Sequence, residues 1–281
     1  MATLAVIGGS GLYALSGLAA SEEIAVDTPY GAPSDKIVRG RLGSTTMLFM
    51  PRHGRGHKVP PSAINYRANV CALKKLGATH LVSVSAVGSM KESIRPGQLV
   101  IVDQFIDLTK RRVGTFFDEG IAAHVSMADP VCPLLAAATA AAGEKAGAQV
   151  HRGGTYVCIE GPQFSTRAES HLYRSWGVSV IGMTNMPEAK LAREAELPYA
   201  TIAVATDYDC WHETNEDVNV DAILAILRQS LETTQRLLLE LAPALPDPTK
   251  SPAHRALATA LLTDRSQISS AKREELAWLL S

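Results

Sequence analysis

Aromatic residues make up only 5% of this 281-residue chain, and neither sign of charge dominates: 27 Lys and Arg stand against 28 Asp and Glu, a formal net charge of −1. The shortage of aromatics removes the stacking platforms a single-stranded nucleic-acid binder relies on. The charge balance removes the global positive field that draws a protein to polyanions or an anionic membrane surface. Any anion site must therefore be local. Cysteine is also sparse: Cys71, Cys132, Cys158 and Cys210 lie far apart, with no CxxC pair and no HExxH. Neither a structural zinc nor a disulfide framework is expected, and Cys71 and Cys158 read as buried thiols. No apolar run approaches the roughly 18 residues that span a bilayer, and MATLAVIGGSG has no basic segment ahead of a cleavable apolar stretch. The expectation is a cytoplasmic protein without membrane, nucleic-acid, metal or redox-cofactor partners.

The chain is 46% hydrophobic, with 21 Gly and 15 Pro, which is ordinary globular usage. Apolar runs at 3–7, 47–50, 80–84, 99–101, 155–159, 178–181 and 199–205 carry apolar residues at successive positions, as strands do when both faces of a sheet are covered. Helical patterns fall between them, at 62–76, 134–145, 166–175, 188–196 and 220–241. Gly77 is a natural stop for the first, Thr166 with Glu169 forms a capping box for the third, and Pro187 stands at the entrance of the fourth. The Ala-rich stretch 136–142 reads as close helix packing. This alternation predicts an α/β sandwich with a central mixed sheet. The segment PALPDPTKSP breaks the pattern. It divides the chain into a main domain, 1–242, and a linker with a short helical arm, 243–281, packed on the domain or on a neighbouring subunit.

Three segments carry anion chemistry. LAVIGGSG ends an apolar strand with Ser10 among glycines, where an anion can approach backbone amides; a bare structural turn explains it equally well, and the GxGxxG spacing of a dinucleotide site is missing. PRHGRGHK crowds Arg52 and His53 after another strand, either as a solvated face or as an anion pocket in which Arg52 offers a planar fork and His53 a ring nitrogen. VSVSAVGS sets Ser85 and Ala86 at what reads as a third strand exit. Strand exits converge at the carboxyl edge of an α/β sheet, so these parts predict one phosphate socket.

Two further segments suit a base and a sugar. In TYVCIEGPQFSTRAES, Phe164 is either core or a stacking surface for a planar ring; in VIGMTNMPE, Met183 offers an apolar sugar surface and Thr184 a hydroxyl. YATIAVATDYDCW carries Asp207 and Asp209 directly out of a buried strand. A carboxylic acid kept protonated by burial and a like-charged neighbour can donate to a purine ring nitrogen. This makes Asp207 the general-acid candidate and Asp209 its partner in base recognition.

Together GGSG, RHGRGH, SAVGS, EGPQFSTRAES, GMTNMPE and ATDYDCW make residues 1–240 resemble the trimeric purine nucleoside phosphorylase family, most closely its branch acting on S-methyl-5'-thioadenosine. The resemblance implies a single-domain α/β/α phosphorylase fold. Its implied reaction is reversible phosphorolysis to adenine and 5-methylthioribose 1-phosphate, with inorganic phosphate as co-substrate and no cofactor. It implies phosphate contacts from Ser10, Arg52, His53, Ser85, Ala86 and Thr184, base and sugar contacts from Phe164, Met183, Asp207 and Asp209, and a homotrimer in which His124 is lent to a neighbour's 5'-substituent pocket. Val218, Val220 and Leu224 match the wall of that pocket; without the resemblance they read as ordinary core positions. Ser10 stands where threonine is frequent in the family, Gly182 where some members carry a polar side chain, and Gln163 where some carry a basic one. A broad purine nucleoside phosphorylase and a non-catalytic nucleoside-binding protein are the competing readings.

Overall fold

The computed structural model describes residues 2–9, 11–12, 15–212 and 220–280. Among them eleven strands form one mixed sheet: β1 (Thr3–Gly8), β2 (Ala19–Ile24), β3 (Ile37–Leu42), β4 (Thr45–Pro51), β5 (His80–Ser89), β6 (Leu99–Val102), β7 (Gln104–Asp107), β8 (Val150–Arg152), β9 (Thr155–Cys158), β10 (Val180–Gly182) and β11 (Tyr199–Asp207). The helices are α1 (Tyr66–Lys75), α2 (Pro133–Lys145), α3 (Arg167–Ser175), α4 (Glu188–Glu194), α5 (Val220–Leu241), α6 (Ser270–Glu275) and α7 (Ala277–Leu280). The predicted α/β architecture with a mixed central sheet is what the chain adopts.

Successive apolar residues in a strand face opposite ways, and the two faces of this sheet feed two separate cores. From β1, Ala5 and Ile7 join a cluster with Leu73 of α1, Leu191 of α4 and Leu276 of α6–α7, while Leu4 and Val6 join Leu135 of α2 and Leu237 of α5. β11 divides the same way, with Ala203 and Ala205 on the first face and Ile202 and Val204 on the second. Each large aliphatic side chain sealed in this way stabilises the fold by about 1.5–3 kcal/mol. The Ala-rich helix α2 lies against α5 and β8 so closely that a Cβ on Gly143 would sit 2.9 Å from Val150 Cγ2.

Several local boundaries follow from capping chemistry. The helix expected over 62–76 is split into a 3₁₀ turn at Pro61–Ala63 and α1, because the Asn65 side chain accepts the Ala68 amide at 3.1 Å and so makes Asn65 the N-cap. At its other end Gly77, at φ +83°, lets Ala78 N–H reach the Leu73 carbonyl at 3.1 Å, a Schellman stop. The Thr166–Glu169 capping box on α3 is present. β2, β3, β7 and β8 were not predicted; β2, AASEEI, is an exposed edge strand without an apolar pattern to betray it.

Residues 243–280 fold back on their own chain. Pro246 O accepts from His80 Nε2 at 2.9 Å, Ala123 forms a β-bridge with Leu261, and Lys272 reaches Asp118 at 2.7 Å. Ile268, Leu276 and Leu279 are buried in the first core, beside Phe116.

Candidate active site

β5 is the strand on which the site is built. Along one edge it pairs with β11 from Leu81 to Gly88. Along the other it pairs with β1 only as far as Ser83, and β10 joins it only at Gly88 and Ser89. Val84 to Val87 thus have a strand on one side and a break in the sheet on the other. SAVGS is the C-terminal half of this ten-residue strand, which ends at Ser89, so Ser85 and Ala86 stand a few residues before the exit while β11 stays paired alongside them as far as Gly88. The ends of β1, β4 and β10 meet β5 at this break, through Gly8 against Val84, Arg52 on Val84 O and Thr184 on Ser85.

Ser85 and Thr184 meet there. Ser85 Oγ lies 3.1 Å from Thr184 Oγ1 and 3.3 Å from Tyr156 Oη, and both residues are nearly buried. Ala86, beside them on β5, is half-buried. Ser10 lies outside the described residues; at the described end of β1, a Cβ on Gly8 would come within 2.4 Å of Leu12 Cδ1 and 3.2 Å of Val84 Cβ, so glycine is the residue that fits.

Arg52 departs from its expected geometry. Its side chain is only 2% exposed, and its fork faces inward rather than toward an open cleft. Nε and Nη2 bond the Glu188 carboxylate at 2.9 and 3.2 Å, Nη2 also bonds Ser83 Oγ at 2.5 Å and Ile7 O at 3.2 Å, and Nη1 bonds Val84 O at 2.9 Å. Its five N–H groups leave one hydrogen, on Nη1, without a partner in these contacts. A bidentate grip on an external anion is excluded while Glu188 holds the fork. Glu188, the first residue of α4, is 1% exposed and also accepts the Tyr199 hydroxyl at 3.0 Å.

His53 follows in the chain. Its Nδ1 lies 2.8 Å from Val59 O and its ring stacks on His57 with centroids 4.1 Å apart. A carbonyl only accepts, so Nδ1 carries the proton there. Burial, with the Arg52 charge behind it, pushes the ring's pKa down to about 4, and the imidazole is neutral at physiological pH.

On the base side, Asp207 ends β11. Thr206 Oγ1 lies 2.7 Å from Asp207 Oδ2, and the Asp209 amide donates to Oδ1 at 2.8 Å. Burial raises the Asp207 pKa and the Asp209 charge adds to the rise, outweighing the two hydrogen bonds that favour the anion. Thr206 Oγ1 also lies 3.2 Å from the Val87 carbonyl. One hydroxyl proton cannot serve both acceptors, and a protonated Oδ2 resolves the conflict by donating to Thr206 while Thr206 donates to Val87.

Asp209 does not pair carboxyl to carboxyl with Asp207. It is 6% exposed, and Ser165 Oγ lies 2.9 and 3.1 Å from its two oxygens, so its carboxylate is turned to the 165 loop. Phe164, one residue away, is 44% exposed and free to present a ring face. Met183 packs beneath the same loop: a Cβ on Gly161, which sits at φ +67°, would meet Met183 Sδ at 2.5 Å.

A residue that sequence reasoning missed ties these pieces together. The Arg112 guanidinium, 1% exposed, bonds the carbonyls of Met183 and Met186 at 2.6 Å each, Glu160 O at 2.7 Å and Glu160 Oε1 at 3.1 Å. It thereby locks the turn after β10 to the turn after β9. In sequence it is one of three consecutive basic residues, with no signal beyond that of a solvated charge run.

The residues expected around a 5'-substituent are exposed in the single chain wherever they are described. His124 is exposed, with its amide bonded to Ala260 O at 2.8 Å. Val220 and Leu224 are 58% and 41% exposed at the start of α5 rather than in the core, and Val218 lies outside the described residues. Among the described residues no group of His, Cys, Asp and Glu is arranged to hold a metal, and no helix is long and apolar enough to cross a membrane.

Residues 3–243 match the phosphorylase superfamily. The chain is 56% identical over 274 residues to S-methyl-5'-thioadenosine phosphorylase of Geobacter sulfurreducens, covering 97% of this chain and 96% of that one. It is 49% identical to the protein of the same name from Thermosynechococcus vestitus, covering 100% and 98%. Its structure is similar to that of a methylthioadenosine phosphorylase sourced from an antarctic soil metagenomic library, with a TM-score of 0.95 at 49% identity over 100% of this chain and 99% of the other. It is also similar to methylthioadenosine phosphorylase from Schistosoma mansoni in complex with adenine, with a TM-score of 0.85 at 36% identity over 92% and 99%.

Proposed function

This chain belongs to the phosphorylase superfamily, and we propose that the break beside β5 is where it carries out phosphorolysis of S-methyl-5'-thioadenosine to adenine and 5-methylthioribose 1-phosphate. The enzyme is a phosphate-dependent purine nucleoside phosphorylase, a pentosyltransferase, like its half-identical relatives. The observation that carries the assignment to this site is that the Ser85–Thr184 hydroxyl pair and the raised Asp207 carboxyl, which lies opposite Gly88, both adjoin the C-terminal half of β5.

Phosphate is held by Ser85, the Ala86 backbone, Thr184, His53 and Ser10. Arg52 acts from behind: paired with Glu188, it ties Ile7 near the end of β1 to Val84 in the middle of β5. Preorganised donors of this kind position an anion without a reorganisation penalty at the moment of reaction. The phosphate oxygen forms its bond to C1' as the C1'–N9 bond breaks, and the bonding pair leaves with the base. Adenine then needs a proton at N7, and Asp207 gives it. Burial raises the pKa of this carboxyl and so favours its protonated form, and Thr206 and the Asp209 amide are placed to stabilise the anion it becomes. Asp209 shapes the base pocket through Ser165 next to Phe164, and Met183 lies under the ribose.

The 5'-substituent pocket is completed in a cytoplasmic homotrimer, where His124 of one subunit meets a neighbour's Val218, Val220 and Leu224. The exposure of His124, Val220 and Leu224 in the single chain supports that reading. Inactive His124→Ala and Asp207→Asn chains, mixed and reassembled, recover activity if His124 serves a neighbour's site; absence of recovery would refute the lending. The reaction is tested by product analysis on methylthioadenosine, adenosine and inosine with and without phosphate. Adenine release from methylthioadenosine that requires phosphate is expected, and phosphate-independent or absent release would overturn the assignment.

A further inference from the structure

We propose that Tyr156 is a positioning residue that sets the direction of the hydroxyl protons in the phosphate socket, so that Ser85 presents its O–H to the anion. The proposal rests on the socket described above. Tyr156 lies on β9, fully buried, and two polar groups reach its hydroxyl: Thr184 N at 3.5 Å and Ser85 Oγ at 3.3 Å. A backbone amide only donates. The Tyr156 oxygen is therefore the acceptor toward Thr184, and its own proton goes to the remaining partner, Ser85 Oγ. With that lone pair of Ser85 occupied, the Ser85 proton must point elsewhere. In the unliganded chain its outlets are Thr184 Oγ1 at 3.1 Å and the Ala86 carbonyl at 3.3 Å, and a phosphate oxygen arriving at the break is a stronger acceptor than either.

The series Thr184 N–H, Tyr156 O–H, Ser85 O–H runs in one direction and ends on the anion, and hydrogen bonds in series polarise one another. Without the phenol nothing occupies that lone pair, and the Ser85 hydroxyl is free to rotate so that a lone pair rather than its O–H faces an incoming phosphate. Burial raises the Tyr156 pKa, so the hydroxyl keeps its proton. The fold also makes room for this group at one residue: a Cβ on Gly182 would lie 2.0 Å from the Tyr156 hydroxyl. A purely packing role is served by the ring, which lies 5.7 Å from Phe105, but not by an oxygen aimed at Ser85 and Thr184.

Tyr156→Phe separates the two roles because it keeps the ring and removes the O–H. The expected result is a phosphate KM raised about ten-fold, in the range for losing the orientation of one hydrogen bond to a charged group. The methylthioadenosine KM and kcat at saturating phosphate should stay within about two-fold. Because Tyr156 acts through Ser85, Tyr156→Phe should add nothing further in a Ser85→Ala background. An unchanged phosphate KM in the single variant, or full additivity of the two substitutions, would overturn the proposal. Calorimetric titration with inorganic phosphate keeps this apart from the reaction itself. A wild-type chain that binds phosphate about ten-fold more tightly than Tyr156→Phe but releases no adenine refutes the reaction and sustains the proposal. Equal affinities, or no phosphate binding by the wild type, refute the proposal whatever the kinetics.

Discussion

Arg52 and Glu188, 136 residues apart in sequence, form an ion pair of 2.9 Å between side chains that are 2% and 1% exposed. The pair joins the end of β4 to the start of α4 and lies directly behind the break in the sheet. A buried pair of this kind is weak evidence for net stabilisation over an apolar pair, but removing one member strands a charge. Glu188→Gln leaves the Arg52 guanidinium uncompensated, and the expected loss in stability is about 3–5 kcal/mol, read from urea unfolding. Substitution of both residues by apolar ones should recover part of that loss while still impairing phosphate use. A Glu188→Gln chain as stable as the wild type would show that the pair is not intact in solution.

Asp207→Asn should lower kcat/KM on methylthioadenosine by about 10²–10⁴-fold, the usual contribution of a positioned general acid, and should shift relative preference toward the 6-oxo analogue methylthioinosine. The direction of its pKa adds a pH signature. Burial raises the carboxyl's pKa, so the proton it must donate is lost as pH rises through that raised value. Activity should fall on the same limb, above the ordinary carboxylate range near 4. Parallel pH profiles of the two chains check this, and persistence of the limb in Asp207→Asn would assign it to another group.

How much of this was legible in sequence depended on how local the signal was. Strand β1, strand β11 and the Thr166–Glu169 cap are written in consecutive residues, and each formed where the pattern placed it. That strand exits bring the segments of Ser10, Arg52 and Ser85 toward one edge was also an expectation sequence could supply, because strand exits of an α/β sheet share an edge. What stayed hidden was direction and partnership. Arg52 looked like a fork for an external anion because its internal acceptors, Glu188, Val84 and Ile7, are distant in sequence. Asp209 looked like a twin of Asp207, but its φ of +50° turns it toward Ser165. Tyr156, in the apolar run TYVC, could not be told from a core aromatic until its hydroxyl was seen between Ser85 and Thr184.

Glu194, on α4, holds the loop that follows Arg112: its carboxylate accepts from Thr115 Oγ1 at 2.8 Å and from the Phe116 amide at 2.7 Å. Burial nevertheless pushes its pKa up to about 7, with the Asp118 charge adding to the rise and the two hydrogen bonds opposing it. A carboxyl whose pKa is higher folded than unfolded binds more protons in the native state. Its contribution is therefore full below the unfolded value near 4.5 and is lost as pH rises toward about 7. Stability of the wild type should fall by about 3 kcal/mol at most across that window relative to Glu194→Gln. Denaturant unfolding of both chains between those pH values measures the difference, and parallel curves would mean that Glu194 is ionised throughout.

Gly182 lies on β10 opposite Cys158, with the Tyr156 hydroxyl and Val87 Cγ1 occupying the space where a side chain would begin, 2.0 and 3.2 Å from an added Cβ. A phenol fixed in a buried strand has no flexible end to move aside. Gly182→Ala must therefore displace the ring or open β10, at an expected stability loss of about 1–3 kcal/mol. Displacing the ring breaks the contacts of the hydroxyl with Ser85 and Thr184, so the phosphate KM should rise together with the loss of stability. The methylthioadenosine KM should change less, since Phe164 approaches from the turn after β9 and only Met183 adjoins Gly182. Thermal unfolding and phosphate saturation curves of Gly182→Ala read both effects. A variant that is destabilised but keeps the wild-type phosphate KM would show that the Tyr156 ring yields without disturbing the socket.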